Sequence, residues 1–420
     1  MALWLFLTGN VCTLYAQKTP VVRAQRIYEL FAAGQGDSIH AALNKKLQTE
    51  LSPAVFNDAF RQTEAVFGKL KSAGDWKTDT VQGTPVYHCD LFFERLTLRF
   101  MVAFDGDGGM NTIRLAPPSA PSASAPAAYD AKKMTERELT VGADGYKLPG
   151  ILTLPLRASE RSKVPCVILV HGSGPNDLDE TVGPNKPFRD LAWGLAERGV
   201  AVIRYDKRTK VYGVNSTPAG RKADYDTETV DDALSAVRRA KALPEVAADS
   251  VYVLGHSLGG TLAPRIAQKS DGLAGIIILA GLARSFDVSL KEQLAYIASL
   301  TGTKVDVQEQ ADKLKAGQPR SYWDFAETYQ PVETGLTLPI LVLQGERDYQ
   351  VTMEDFALWR TGLLRHKDAF FKSYPKLNHL MQEGSGKSTP FEYNQAAHVP
   401  AYVMDDIACF VHGGDGNTDK

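Results

Sequence analysis

A mostly parallel α/β sheet with an inserted helical cap, preceded by a small α+β unit, is the fold class that this 420-residue sequence predicts. Three observations predict it. Short, wholly apolar runs at 164–170, 276–279 and 340–343 read as strands buried on both faces. Helix-period stretches recur between such runs, at 186–198, 227–243 and 258–269. A tract of Ala, Pro and Ser at 116–130 divides this alternation from a unit of different texture before it.

The chain opens with an uncharged apolar run, residues 1–16. It is too short to span a bilayer and suits the core of a secretory signal peptide, with Ala16 at the cleavage point. The expectation is an exported protein, periplasmic or secreted. Residues 20–115 form the small unit. Ile27, Leu30 and Phe31 repeat at helical spacing, as do Val55, Phe56, Phe60, Val66, Phe67 and Leu70. Strand-like text follows at 76–81 and 86–93, and then Leu96, Leu98, Phe100, Val102 and Phe104 alternate strictly. The run DGDGGMN at 105–111 opens like a calcium loop, but its twelfth position is Ala116 rather than a bidentate Glu. It reads as a hairpin turn before a last strand near Ile113. This unit carries no catalytic constellation.

Residues 116–130 have nothing to bury and cannot repay the entropy of ordering, so they read as a linker. From 131 to 413 strand and helix alternate, with strands at 164–170, 200–205, 251–254, 276–279, 340–343 and 369–374. The stretch 284–335 interrupts the alternation. It is helical and amphipathic, the size of a cap inserted between two sheet strands.

Composition narrows the function. Forty-seven Lys and Arg against 49 Asp and Glu leave a net charge of -2, which offers no broad basic footprint for nucleic acid or anionic membrane and leaves room only for a local patch. Four Cys rule out a disulfide-stapled scaffold, and the lack of a CxxC pair argues against a thiolate zinc site or a thioredoxin-like redox pair. HExxH, Walker and GxGxxG motifs do not occur, so neither metal nor organic cofactor is expected.

The chemistry centres on Gly255-His256-Ser257-Leu258-Gly259, a G-x-S-x-G run with an apolar strand before it and a helix pattern after it. That context is the one a nucleophile elbow needs, and it marks Ser257 as the nucleophile. A serine hydroxyl requires a base, and the base an orienting acid. With this elbow they follow in the order Ser, acid, His, from loops at the carboxyl ends of later strands. Asp348, after the strand ending at 343, is the preferred acid, with Glu346 and Asp355 as alternatives. His379, after the strand 369–374, is the base. His366 comes too early and His398 too close to the last helix. Two backbone N–H groups should hold the oxyanion: Leu258, next to the nucleophile, and Ser173 in the loop after 164–170, with Gly172 as second choice. His171 is expected to brace that loop. Asp177, Asp179 and Glu180 are expected to pair with Lys186, Arg189, Lys207 or Arg208 rather than to bind a cationic substrate, and 205–208 reads as a structural ion cluster. In the cap, Tyr296, Leu300, Tyr322, Trp323, Phe325 and Tyr329 are candidates to line a pocket.

These residues resemble the α/β-hydrolase superfamily. The runs HGSGPNDLDET (171–181), GPNKPFRDLA (183–192), RYDKRT (204–209) and QGERDYQVT (344–352) are similar to the bacterial EstD-like carboxylesterases. Many of those carry an N-terminal DUF3887-type domain, which 20–115 resembles more loosely. Leu178 departs from the DRDE run of that family, standing where Arg is expected. The resemblance implies a Ser257–Asp348–His379 triad and hydrolysis of small or short-acyl esters without a cofactor. A serine peptidase of prolyl-oligopeptidase type shares the same apparatus and is the rival among enzymes. A non-catalytic envelope binding module is the rival of another class, and the complete Ser, Asp and His set argues against it.

Overall fold

The computed structural model describes residues 19–414 apart from 58, 82–83, 95–96, 117–128, 302–305 and 333–334. The expected leader at 1–16 and most of the expected linker lie outside the described residues. At the edges of that linker Ala116 ends a strand, and Tyr129 packs beside Met404. The chain divides into two compact units, the first chiefly residues up to 119 and the second chiefly those after.

In the first unit, five short helices between Pro20 and Phe67 precede an antiparallel sheet. Its strands are β1 (Leu70–Ala73), β2 (Lys77–Val81), β3 (Thr84–Phe93), β4 (Thr97–Phe104) and β5 (Met110–Ala116). β3, β4 and β5 run side by side, while β1 and β2 share the outer edge of β3. Ile27, Leu30 and Phe31 of the first helix enter one core with Leu91, Phe93, Phe100 and Val102. Leu70 departs from the helical expectation. Gly68, at φ 80°, follows the helix that ends at Phe67, and Leu70 opens β1 instead. The 105–111 run is a hairpin turn. Asp105 spends its carboxylate on the N–H groups of Asp107 and Gly109 and on the Asn44 amide.

The second unit is built on eight strands, β6 (Met134–Val141), β7 (Leu148–Pro155), β8 (Val164–Val170), β9 (Ala201–Tyr205), β10 (Val246–His256), β11 (Gly275–Leu279), β12 (Ile340–Gly345) and β13 (Ala369–Tyr374). Their order is β6-β7-β9-β8-β10-β11-β12-β13. The six from β9 to β13 are parallel to their neighbours, and β6 and β7 join antiparallel at one edge. β6 and β7 are additions to the sequence reading.

The central parallel strands are largely apolar because each faces a core on both sides. Cys166, Ile168 and Val170 of β8 point into one core, and Val167 and Leu169 into the other. Val253 and Leu254 of β10 divide the same way, as do Ile276 and Ile277, and Val342 and Leu343. Each aliphatic side chain so buried contributes roughly 1.5–3 kcal/mol. Helices Asp231–Lys241, Leu258–Lys269 and Met353–Gly362 supply the first core, and Pro187–Glu197 and Ala401–Val411 the second. Between β11 and β12 stand three helices, Phe286–Thr301, Val307–Ala316 and Arg320–Thr328.

The ion cluster after β9 is anchored inside the unit. Arg208 meets both oxygens of Asp232 at 2.6 Å, with both side chains almost fully excluded from water. Removing one partner of such a pair strands the other charge and costs about 3–5 kcal/mol. Asp232→Ala is expected to lower unfolding free energy by that amount in urea titration. A loss under about 1 kcal/mol would show that the pair behaves like an exposed one.

Candidate active site

β10 ends at His256, and Ser257 follows at φ 54°, ψ -116°, a conformation that costs an L-residue roughly 1–3 kcal/mol. The surroundings enforce it. Ser257 N–H donates to the Leu279 carbonyl of β11 at 2.9 Å. A Cβ added at Gly255 would sit 2.0 Å from the Gly259 oxygen, and one at Gly259 would sit 2.2 Å from the Val170 oxygen of β8. Backbone therefore packs directly on backbone on both sides of the serine, which only glycine permits. Helix Leu258–Lys269 starts at the next residue. N–H groups in a first helical turn have no intrahelical acceptor, and the dipole there favours negative charge.

His379 lies in the loop after β13, with Nδ1 2.6 Å from Asp348 Oδ2 in the loop after β12. Both are buried. Asp348 is itself held: its Oδ1 accepts Gln350 N–H at 2.7 Å and Val351 N–H at 3.1 Å. The other acids have different work. Glu346 accepts from the Ser373 hydroxyl, and Asp355 completes a capping box with Thr352 and binds Arg284. His398 faces Asp190, and His366 accepts from Asp368 N–H.

One cavity of about 420 Å³ is lined by Ser257, His379, Leu258 and Ser173 together. The second-choice oxyanion donor, Gly172, is ruled out by its bonding: its N–H donates to Glu180 Oε1 at 2.7 Å, and its carbonyl accepts Lys207 Nζ at 2.9 Å. His171 braces the loop through Nε2 and the Asp177 carbonyl at 3.0 Å. Burial pushes its pKa down to about 4, so the brace is a neutral imidazole.

The acidic loop is consumed by structure. Asp177 accepts the N–H groups of Asp179 and Thr181, and Asp179 binds Lys186 and Arg204. Lys186 was among the cations expected; Arg204 was not. Among the described residues Glu180 pairs with no Lys or Arg and lies 2.8 Å from His256 Nδ1. The residue types carried this signal, a His beside the nucleophile and a spare carboxylate after the oxyanion loop, but nothing in their spacing paired them. Of the six cap residues singled out, only Tyr329 lines the cavity. Tyr322 and Phe325 pack on Tyr225, Trp323 donates to the Lys315 carbonyl, and Tyr296 donates to the Ser388 carbonyl. Phe286, Gln293, Ala326 and Pro331 line it from the same insertion.

With this geometry in hand, relatives can be compared. A family model described as the prolyl oligopeptidase family matches residues 188–399. One described as a protein of unknown function, DUF3887, matches residues 24–112. Esterase EstD from Thermotoga maritima is 33% identical over 390 residues, covering 89% of this chain and 91% of its own. Among solved structures, Est1E from Butyrivibrio proteoclasticus is 20% identical with TM-score 0.43, covering 66% of this chain and 98% of its own. A hyperthermophilic esterase from the archaeon Pyrobaculum calidifontis is 16% identical with TM-score 0.47, covering 66% and 85%.

The depressed His171 pKa has a measurable consequence. Unfolded, this imidazole takes up a proton near pH 6.5, whereas the fold refuses it until about pH 4. The stability it contributes is complete above the unfolded value and is lost as pH falls through that window. Between pH 6.5 and pH 5 the loss from this residue is about 2 kcal/mol. Denaturant unfolding at the two pH values should show a larger drop for the wild type than for His171→Gln. Equal drops would remove the buried neutral imidazole from the account.

Proposed function

The chain belongs to the prolyl oligopeptidase family of α/β-hydrolases, and on that premise we propose that it is a serine carboxylesterase acting on small, short-acyl esters. The observation that carries the reading is the 2.6 Å bond between His379 and Asp348 beside a cavity shared with a serine on a strained elbow. Ser257 Oγ attacks the ester carbonyl while His379 Nε2 takes its proton. Asp348, on Nδ1, fixes the tautomer that leaves Nε2 free to accept, and it stabilises the imidazolium that forms. The N–H groups of Leu258 and Ser173 receive the oxyanion. The alcohol leaves with the proton from His379. Water, activated by the same imidazole, then releases the acid from the acyl-enzyme.

An esterase function is supported by the relative named Esterase EstD, which matches almost end to end. Cavity size supports a small substrate: about 420 Å³, walled largely by apolar and aromatic side chains. Amide hydrolysis is the second reading, favoured by the family model itself. Against it, the three acidic-loop carboxylates are already engaged, which leaves none of them to bind a peptide amine. The proposal includes export, which rests on the uncharged apolar residues 1–16.

Two measurements test the reading. Asp348→Asn is expected to lower kcat roughly 10³–10⁴-fold while circular dichroism stays unchanged; a wild-type rate would reassign the acid. Steady-state kinetics on acetyl and butyryl esters should exceed those on aminoacyl amides by orders of magnitude. Amides turned over as efficiently as esters would favour the peptidase.

A further inference from the structure

Glu180 and His256 flank the nucleophile, and the mechanism above gives neither a role. Both are buried, at 3% and 5% exposure. His256 Nε2 lies 2.9 Å from the His379 backbone carbonyl, and a carbonyl only accepts, so this nitrogen carries a proton. Nδ1 lies 2.8 Å from Glu180 Oε2. The contact is at an ion-pair distance that does not meet hydrogen-bond geometry. Burial works against charge on both groups, yet their mutual attraction overrides it, raising the His256 pKa and lowering that of Glu180. Both directions favour an imidazolium facing a carboxylate over a neutral pair.

The second oxygen of Glu180 accepts the Gly172 N–H at 2.7 Å. A single carboxylate therefore ties together the oxyanion loop, the residue before Ser257 and, through that residue, the backbone of His379. The rings of His256 and His379 are 4.7 Å apart. The other titratable groups around the pair are Asp348 beyond His379, His171 on the side of Glu180, and Lys207 at the Gly172 carbonyl. Glu180 also stands at φ 50°, a left-handed conformation that a Glu side chain does not favour and that its fixed contacts hold.

We propose that Glu180 is a positioning residue that sets the oxyanion loop and the loop bearing His379 in register around Ser257. This rests on the reading of His379 as general base.

Glu180→Gln tests it, because the amide oxygen can still accept from Gly172 while the charge is gone. His256 then loses its counter-ion. With p-nitrophenyl acetate, kcat is expected to fall at least tenfold with KM within about twofold. The split decides the matter: a wild-type kcat, or a KM that rises in step with the fall in kcat, overturns the proposal. Should Glu180→Gln fail to fold, His256→Gln, which keeps a donor for the His379 carbonyl but has no charge to pair with Glu180, is expected to show the same split. A wild type that does not turn over p-nitrophenyl acetate, or a Ser257→Ala variant that still does, removes the proposed function and this proposal with it. Wild-type kinetics in both variants, with Ser257→Ala inactive, removes this proposal alone.

Discussion

The close approach of three backbone segments at Ser257 is the constraint on which the rest depends. β10 lies between β8 and β11, and the elbow at its end touches both: Gly259 presses on the Val170 oxygen and Ser257 N–H bonds to the Leu279 oxygen. Neither contact leaves room for a side chain at 255 or 259. The serine is forced out of the sheet into a conformation it would not choose, and the following helix begins there. Hydrophobic burial on both sides of three adjacent parallel strands supplies the free energy that sustains the strain. Loops leaving the same strand ends then bring an imidazole and a carboxylate to the serine's side of the sheet.

The segments after β8 and β9 are fixed by charge pairs: Asp179 with Arg204 and Lys186, Lys207 with Glu228, Arg208 with Asp232 and Glu180 with His256. Such pairs contribute little net stability over an apolar packing of the same volume. They do impose direction, since each charge must meet its partner at bonding distance or remain unsolvated. For a loop proposed to aim the Ser173 N–H at a developing oxyanion, direction is what packing alone would not supply. His171, neutral and stacked near Phe188, is the exception that braces by one bond and by shape.

The central strands were legible because two-sided burial makes them continuously apolar. β6 and β7 were not. In β6 only Met134, Leu139 and Val141 are buried, with Glu136, Arg137 and Glu138 outside, as suits an edge. β7 carries Pro149 and Gly150 near its start, which local propensity counts against a strand, and pairing with β9 overrides that. Leu70 misled for the opposite reason: an apolar residue in phase with a helix was claimed for it, although Gly68 had already ended the helix. At the site, strand ends and chain order single out Ser257, Asp348 and His379, and of these His379 and Asp348 lie in contact. The partnership of Glu180 with His256 was not readable, because it depends on how two loops from different strands meet. The same holds for the cap, where a residue that packs the insertion and a residue that lines the cavity have the same chemistry.

The central claim is that one hydroxyl among many has been made nucleophilic. Exposing the protein to a fluorophosphonate and locating the modified residue by peptide mass spectrometry tests it most directly. The account predicts a single phosphonyl adduct on Ser257, lost in Ser257→Ala and slowed severely in His379→Ala. An unmodified wild type, or an adduct that persists when residue 257 is alanine, would contradict it.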